Sequence, residues 1–210
     1  TGWLEIEHEL FGIPFPDLKT RFKMLEESLI YIREALSGNN QGFKGEYYQL
    51  EKFPVEPSKL SEIPIIIGGG GKVKTPTLAG KYSEEFNIYA GPKETLQNSI
   101  SLFKSVASEN GREEKKLEIT TACPPVVGLT KESVDNSLIS AAKALIQPED
   151  EIAKNWKDRS YLYGTPEDVV KTLSMWQEVG IEAVYLQLLD LEPSKRDESV
   201  EVIYKAINLL

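Results

Sequence analysis

Four consecutive glycines, Gly68-Gly69-Gly70-Gly71, follow the compact apolar run Ile63-Pro64-Ile65-Ile66-Ile67 and precede Lys72, Lys74 and Thr75. Residues without a Cβ let backbone N–H groups converge on one point, and a helix starting just beyond adds the positive end of its dipole. Such a loop suits a phosphate, with Lys72, Lys74 or Thr75 supplying a charge or a hydroxyl donor. The same glycines also suit a permissive turn between strand and helix, and spacing alone leaves both readings open. Elsewhere, chemically capable residues are few. His8, the one histidine, stands beside Glu7 in a segment that also holds Glu5 and Glu9. Imidazole titrates near neutral pH, which suits proton transfer, while the acidic run equally reads as a solvated surface. Cys123 is the one cysteine, so no intramolecular disulfide can form, and one thiol with one histidine offers no metal cluster. It reads as a small buried residue rather than a nucleophile.

These residues need elements to hold them. The β-branched run 63–67 reads as a buried parallel strand, the glycines as the loop after it, and Thr75 to Tyr82 as the following helix. The same order recurs. Phe86 to Tyr89 precedes a helix over 93–110, Leu117 to Cys123 precedes helices over 132–146, and Ala183 to Leu189 precedes a helix over 195–209. Thr165 and Pro166 open a further helix as N-cap and first helical residue, and it ends near Gly180. Upstream, Phe22, Leu25, Leu29, Ile32 and Leu36 recur at helical spacing within 18–36, and Phe43 to Leu50 reads as a short hairpin or extended arm. Four strand-helix units imply an α/β protein, either a doubly wound sheet or a partial (β/α)8 barrel, and an eight-unit barrel takes ~250 residues.

With 210 residues, 40% hydrophobic and 27% charged, the chain has the balance of one soluble globular domain. A net charge of −9 argues against a nucleic-acid partner, which requires a basic surface. No apolar run approaches the ~20 residues that cross a bilayer, and Thr1-Gly2-Trp3-Leu4-Glu5 lacks the order of a signal peptide. A cytoplasmic protein without a membrane partner is the expectation. The opening on Gly2-Trp3, without Met or a polar lead, reads as a start inside a larger chain.

The residues Gly2-Trp3-Leu4-Glu5-Ile6-Glu7-His8, Gly12-Ile13-Pro14-Phe15-Pro16, Arg21-Phe22, Leu25-Glu26-Glu27 and Phe43-Lys44-Gly45-Glu46-Tyr47-Tyr48-Gln49-Leu50, followed by the glycine run and Glu85-Phe86-Asn87, resemble the luciferase-like monooxygenase superfamily. Its coenzyme F420-dependent branch is the nearest, and the likeness weakens between Pro124 and Arg159. The resemblance implies a TIM barrel of which 1–210 is a single domain spanning strands five to eight, with about a hundred further residues ahead of Thr1. It implies coenzyme F420 or FMN as cofactor, with the phosphate at Gly68 to Gly71 and Lys72 or Thr75 nearby. Glu7 and His8 fall where the family has a segment at the barrel mouth, suited to proton transfer or ring contact. Trp3 stands where sugar-phosphate dehydrogenases of the F420 branch carry a catalytic Glu, so their acid-base scheme does not transfer. Trp3 either packs against the cofactor or belongs to the core, and Asn87 either faces the pocket or occupies a turn. The implied activity is hydride transfer between the cofactor and a small organic substrate. The alternatives are an FMN-dependent luciferase-like monooxygenase and a non-catalytic flavin-binding or interaction protein. Family members are often dimers, which sets a homodimer as the expected assembly.

Overall fold

The computed structural model describes residues 2, 4–37, 41–52, 63–189 and 193–210. They fall into two compact units, Thr1–Ile65 and Ile66–Leu210.

The first unit opens on a helix that the sequence did not reveal, α1 (Glu5–Phe11). Nothing in it is buried, so it carries no apolar stripe to read. Glu5 and Glu7 lie in its first turn, where carboxylates oppose the amide dipoles, and Gly12 closes it in the left-handed region at φ 64°. The next helix, α2 (Leu18–Leu36), occupies the predicted span. Asp17 caps it, accepting from the amides of Lys19 and Thr20 at 2.9 and 3.1 Å and from the Thr20 hydroxyl at 2.6 Å. Of the expected apolar stripe, Leu29 is buried and Ile32 is exposed.

The predicted hairpin is present, with β1 (Phe43–Lys44) antiparallel to β2 (Gln49–Leu50). Its tip is held by Glu27 of α2, whose carboxylate accepts from the amides of Glu46, Tyr47 and Tyr48 at 2.5, 2.7 and 3.0 Å. A Cβ at Gly45 would overlap that carboxyl, so the close approach requires glycine. Burial raises the Glu27 carboxyl, but the three amide donors and Lys23 outweigh it and hold the group below its ordinary value of 4.5. A lowered folded-state pKa gives stability that is present above the unfolded pKa and lost as pH falls through the folded one. Amide exchange at Glu46, Tyr47 and Tyr48 is therefore expected to accelerate, relative to the intrinsic rate, as the pH falls through the range in which this lowered carboxyl takes up its proton. Glu27→Gln should show that loosening already at pH 7.

In the second unit, β3 (Ile66–Gly69), β4 (Glu85–Tyr89), β5 (Glu118–Cys123) and β8 (Ala183–Leu186) form one sheet in that spatial order, parallel throughout. The helices α3 (Lys74–Tyr82), α4 (Lys93–Glu109), α7 (Pro166–Val179) and α8 (Pro193–Ile207) alternate with the strands. Four adjacent parallel strands joined through helices are half the circumference of a (β/α)8 barrel, as expected. The helix-facing residues Phe86, Ile119 and Cys123 are buried, and Phe86 packs on Phe103 of α4 with ring centroids 5.3 Å apart.

Helices α3 and α4 meet closely at Gly80. A Cβ there would lie 2.6 Å from the Phe103 carbonyl oxygen and 2.9 Å from Val106 Cβ. Gly80→Ala must push two packed helices apart, and is expected to cost about 1–3 kcal/mol, visible as a lower urea midpoint.

Three details depart from the sequence expectation. The first strand lies at 66–69 rather than 63–67, because Pro64 has no amide for a ladder whereas Gly68 and Gly69 pair with Asn87 and Ile88. The last strand stops at Leu186, with one further bond from the Gln187 amide to the Cys123 carbonyl at 3.0 Å. Between β5 and α7 stand α5 (Lys131–Leu145), the unforeseen α6 (Glu149–Asp158), and the two-residue strands β6 (Val126–Val127) and β7 (Tyr163–Gly164), which pair in parallel. Ile152 and Trp156 of α6 pack with Val126 and Ala141 in a second apolar cluster, and the Trp156 indole donates to the Pro124 carbonyl at 2.7 Å.

Candidate functional site

Strands β3 and β4 end side by side, Gly69 opposite Ile88. Beyond them Gly70-Gly71 leads into α3 and Ala90-Gly91-Pro92 leads into α4. A cavity of about 240 Å³ lies between these two turns at the C-terminal ends of the strands, where barrel proteins build their sites. Gly69, Gly70 and Gly71 line one side of it and Tyr89 and Gly91 another.

Three of the four glycines are required by geometry. Gly69 has φ 148°, a conformation that side chains disfavour. A Cβ on Gly70 would stand 2.9 Å from the Tyr89 ring, and one on Gly71 would stand 2.5 Å from Thr75 Oγ1. Gly68 differs: a Cβ there would meet nothing closer than 3.6 Å, an ordinary contact.

Of the remaining lining, α4 and Arg159 offer groups that suit an anion, beside the single carboxylate of Asp158. Helix α4 begins at Lys93 after Pro92, and no side chain caps its first-turn amides. Thr95 and Ser99, one turn apart on α4, bring two hydroxyls, and Arg159, just after α6, brings a guanidinium. Sequence reading missed these residues. The Gly91-Pro92 turn and the four-residue spacing of Thr95 and Ser99 were visible signals, whereas Arg159 arrives through α6, which had not been recognised. A groove of about 700 Å³ among α5, α6 and α7 is larger, but its lining, in which exposed lysines stand with Asp135, Asp168 and the half-buried Tyr161 and Tyr163, contains no predicted site residue.

Of the predicted cofactor residues, Gly69 to Gly71 line the cavity. Lys72 is exposed and outside its lining, and Thr75 is buried against Gly71. Trp3 lies outside the described residues. Asn87, half-buried on the face of the sheet opposite the helices, belongs to a polar chain. Its Nδ2 donates to Thr120 Oγ1 at 2.8 Å, and the Thr120 hydroxyl donates to Glu85 Oε1 at 2.5 Å. The Tyr185 hydroxyl donates to Glu85 Oε2 at 3.2 Å. Burial, then the hydrogen bond to Glu85, raises the Tyr185 phenol above its ordinary value and keeps it a donor.

In the first unit, Glu7 is exposed on α1. His8 Nδ1 is 3.0 Å from the Leu4 carbonyl, which can only accept, so that nitrogen carries the proton and Nε2 is the basic one. Its ring lies 4.6 Å from Phe15, whose other neighbour is the Arg21 guanidinium at 3.7 Å. Cys123 is fully buried and burial pushes its thiol up to about 11, which removes it as a nucleophile.

Parallel strands in chain order, with a glycine-lined cavity at their C-terminal ends, define a protein of the (β/α)8-barrel class. Within that class the chain belongs to the luciferase-like monooxygenase family, which matches residues 1–183. It is 34% identical over 91 residues to the F420-dependent glucose-6-phosphate dehydrogenase of Nakamurella multipartita, covering 43% of this chain and 26% of that one. It is 19% identical over 217 residues to the FMNH(2)-dependent dimethylsulfone monooxygenase of Pseudomonas fluorescens, covering 91% and 59%. Among solved structures it superposes on an F420-dependent secondary alcohol dehydrogenase in complex with an F420-acetone adduct with a TM-score of 0.73 and 23% identity, covering 92% of this chain and 64% of that one. Against further curated glucose-6-phosphate dehydrogenases the chain spans about half their length. No helix among the described residues is long and apolar enough to cross a membrane.

Proposed function

We propose that this chain is the phosphate-holding half of an oxidoreductase barrel that uses coenzyme F420 or FMN and acts on a small organic molecule. The observation that carries the reading is the cavity at Gly69 to Gly71. A side chain at Gly70 would collide with Tyr89, which walls it, and one at Gly71 with Thr75, buried behind the loop. The donors around it, uncapped amides, two hydroxyls and a guanidinium, are those a ribityl phosphate takes. When bound, the flavin or deazaflavin ring supplies the hydride or oxygen chemistry. The second unit's own residues anchor the phosphate and present the sheet face opposite the helices; Glu7 and His8, in the first unit, are the proposed groups for proton transfer, His8 through Nε2. Relatives named for F420 and for FMNH(2) support the choice of cofactors.

The test is a fluorescence titration of FMN and of F420 onto the protein. Arg159→Ala is expected to weaken binding about tenfold and to flatten its dependence on salt, the effect of removing one charge-assisted contact. An Arg159→Ala chain that binds both cofactors like the wild type would overturn this placement of the phosphate.

A further inference from the structure

Gly68 is the one glycine of the four that no steric or backbone demand explains, and a glycine inside a strand weakens it unless something must come close. Across from it, Asn87 is its register partner on β4, and a Cβ on Gly68 would lie 3.8 Å from Asn87 Oδ1. The bare position leaves that oxygen uncovered.

The direction of the amide is set from behind. Glu85 is 6% exposed, and two hydroxyls, those of Thr120 and Tyr185, converge on its two oxygens, as befits a carboxylate that only accepts. The single hydroxyl proton of the fully buried Thr120 is therefore spent on Glu85, and its oxygen can only accept from Asn87. Asn87 must turn its NH2 group inward, and Oδ1 faces out beside Gly68.

We propose that Glu85 and Thr120 are positioning residues that lock Asn87 with its oxygen toward the open sheet face, making a built acceptor for an N–H donor of the ligand. An isoalloxazine-type ring carries such a donor in its pyrimidine imide. The inference rests on the cofactor reading above and extends it to the polarity of the ring-binding face and to two residues that touch no ligand.

The experiment titrates FMN and, separately, F420 by fluorescence, and records the imide 15N–H shift of bound 15N-labelled FMN. Asn87→Ala is expected to weaken FMN about tenfold and to move the imide shift toward its value in water. Gly68→Val covers the oxygen and should lose binding, while Gly68→Ala, whose Cβ meets only ordinary contacts, should keep the thermal midpoint. Glu85→Gln releases the Thr120 proton, lets the Asn87 amide turn over, and should weaken FMN to a similar degree. In the Asn87→Ala background, Glu85→Gln should weaken it no further, a non-additivity that a merely structural role would not produce. Wild-type affinity and an unchanged imide shift in Asn87→Ala would overturn the proposal, as would additive losses in the double variant. The two readings fail separately: an Arg159→Ala chain that binds normally while Asn87→Ala does not would remove the phosphate assignment and uphold the acceptor.

Discussion

Replacing Gly71 with valine is expected to abolish measurable cofactor binding, a loss of at least about a hundredfold. The added Cβ would sit 2.5 Å from Thr75 Oγ1 and 3.3 Å from Thr75 Cβ, and Thr75 is buried in the first turn of α3, so it has nowhere to retreat. The loop must swing away instead, carrying its amides out of the cavity. Losing two hydrogen bonds to a charged group, at about 1.5–3 kcal/mol each, corresponds to two to four decades in affinity. Gly68→Ala is the internal control for fold, since its Cβ meets only ordinary contacts. Isothermal titration with FMN and F420 gives the affinities, and circular dichroism shows whether the sheet survives. A Gly71→Val protein that is folded and binds with wild-type affinity would refute the cradle.

The largest effect on stability is expected at Phe86. Its side chain is fully buried on the second strand of the sheet and faces the Phe103 ring of α4, also fully buried. Phe86→Ala removes the ring and leaves a cavity between β4 and α4, and α4 is already in tight contact with α3 at Gly80, so collapse is restricted. A cost of about 3–5 kcal/mol follows, a large part of the 5–15 kcal/mol that a domain possesses. Urea unfolding monitored by far-UV circular dichroism should show the midpoint falling with the slope unchanged. A drop of less than about 1 kcal/mol would mean that α4 does not pack on β4 as described.

How much of this was legible follows from what each residue faces. Strands β4 and β5 and helices α3, α4 and α7 were readable because each buries one side, and burial writes periodicity or capping into sequence: Phe86 and Ile88 against the helices, Thr165 and Pro166 at the start of α7. Helix α1 buries nothing and left no stripe. Helix α6 is a ten-residue segment with Ile152 and Trp156 as its buried anchors, too few to stand out among its charges. The glycine run pointed to the cavity, but spacing could not distinguish Gly68, which has room for a side chain, from Gly70 and Gly71, which do not. Arg159 reaches the cavity from the end of α6, and the chain from Glu85 through Thr120 to Asn87 is assembled only by the register of β4 with β5.

That same sheet imposes an order on folding. Strands β3, β4 and β5 are linked by single helices, so their pairing closes short loops, whereas β8 reaches β5 only after α5, α6 and α7 have been accommodated between Cys123 and Ala183. Loop closure makes this last pairing the late event, and the segment it closes sets Leu186 opposite Cys123 and brings the Leu162 backbone to the thiol. The lone thiol is thus a built-in clock: the moment at which it ceases to react with a quenched-flow thiol reagent marks the closing of the segment from β6 to β8 over the third strand.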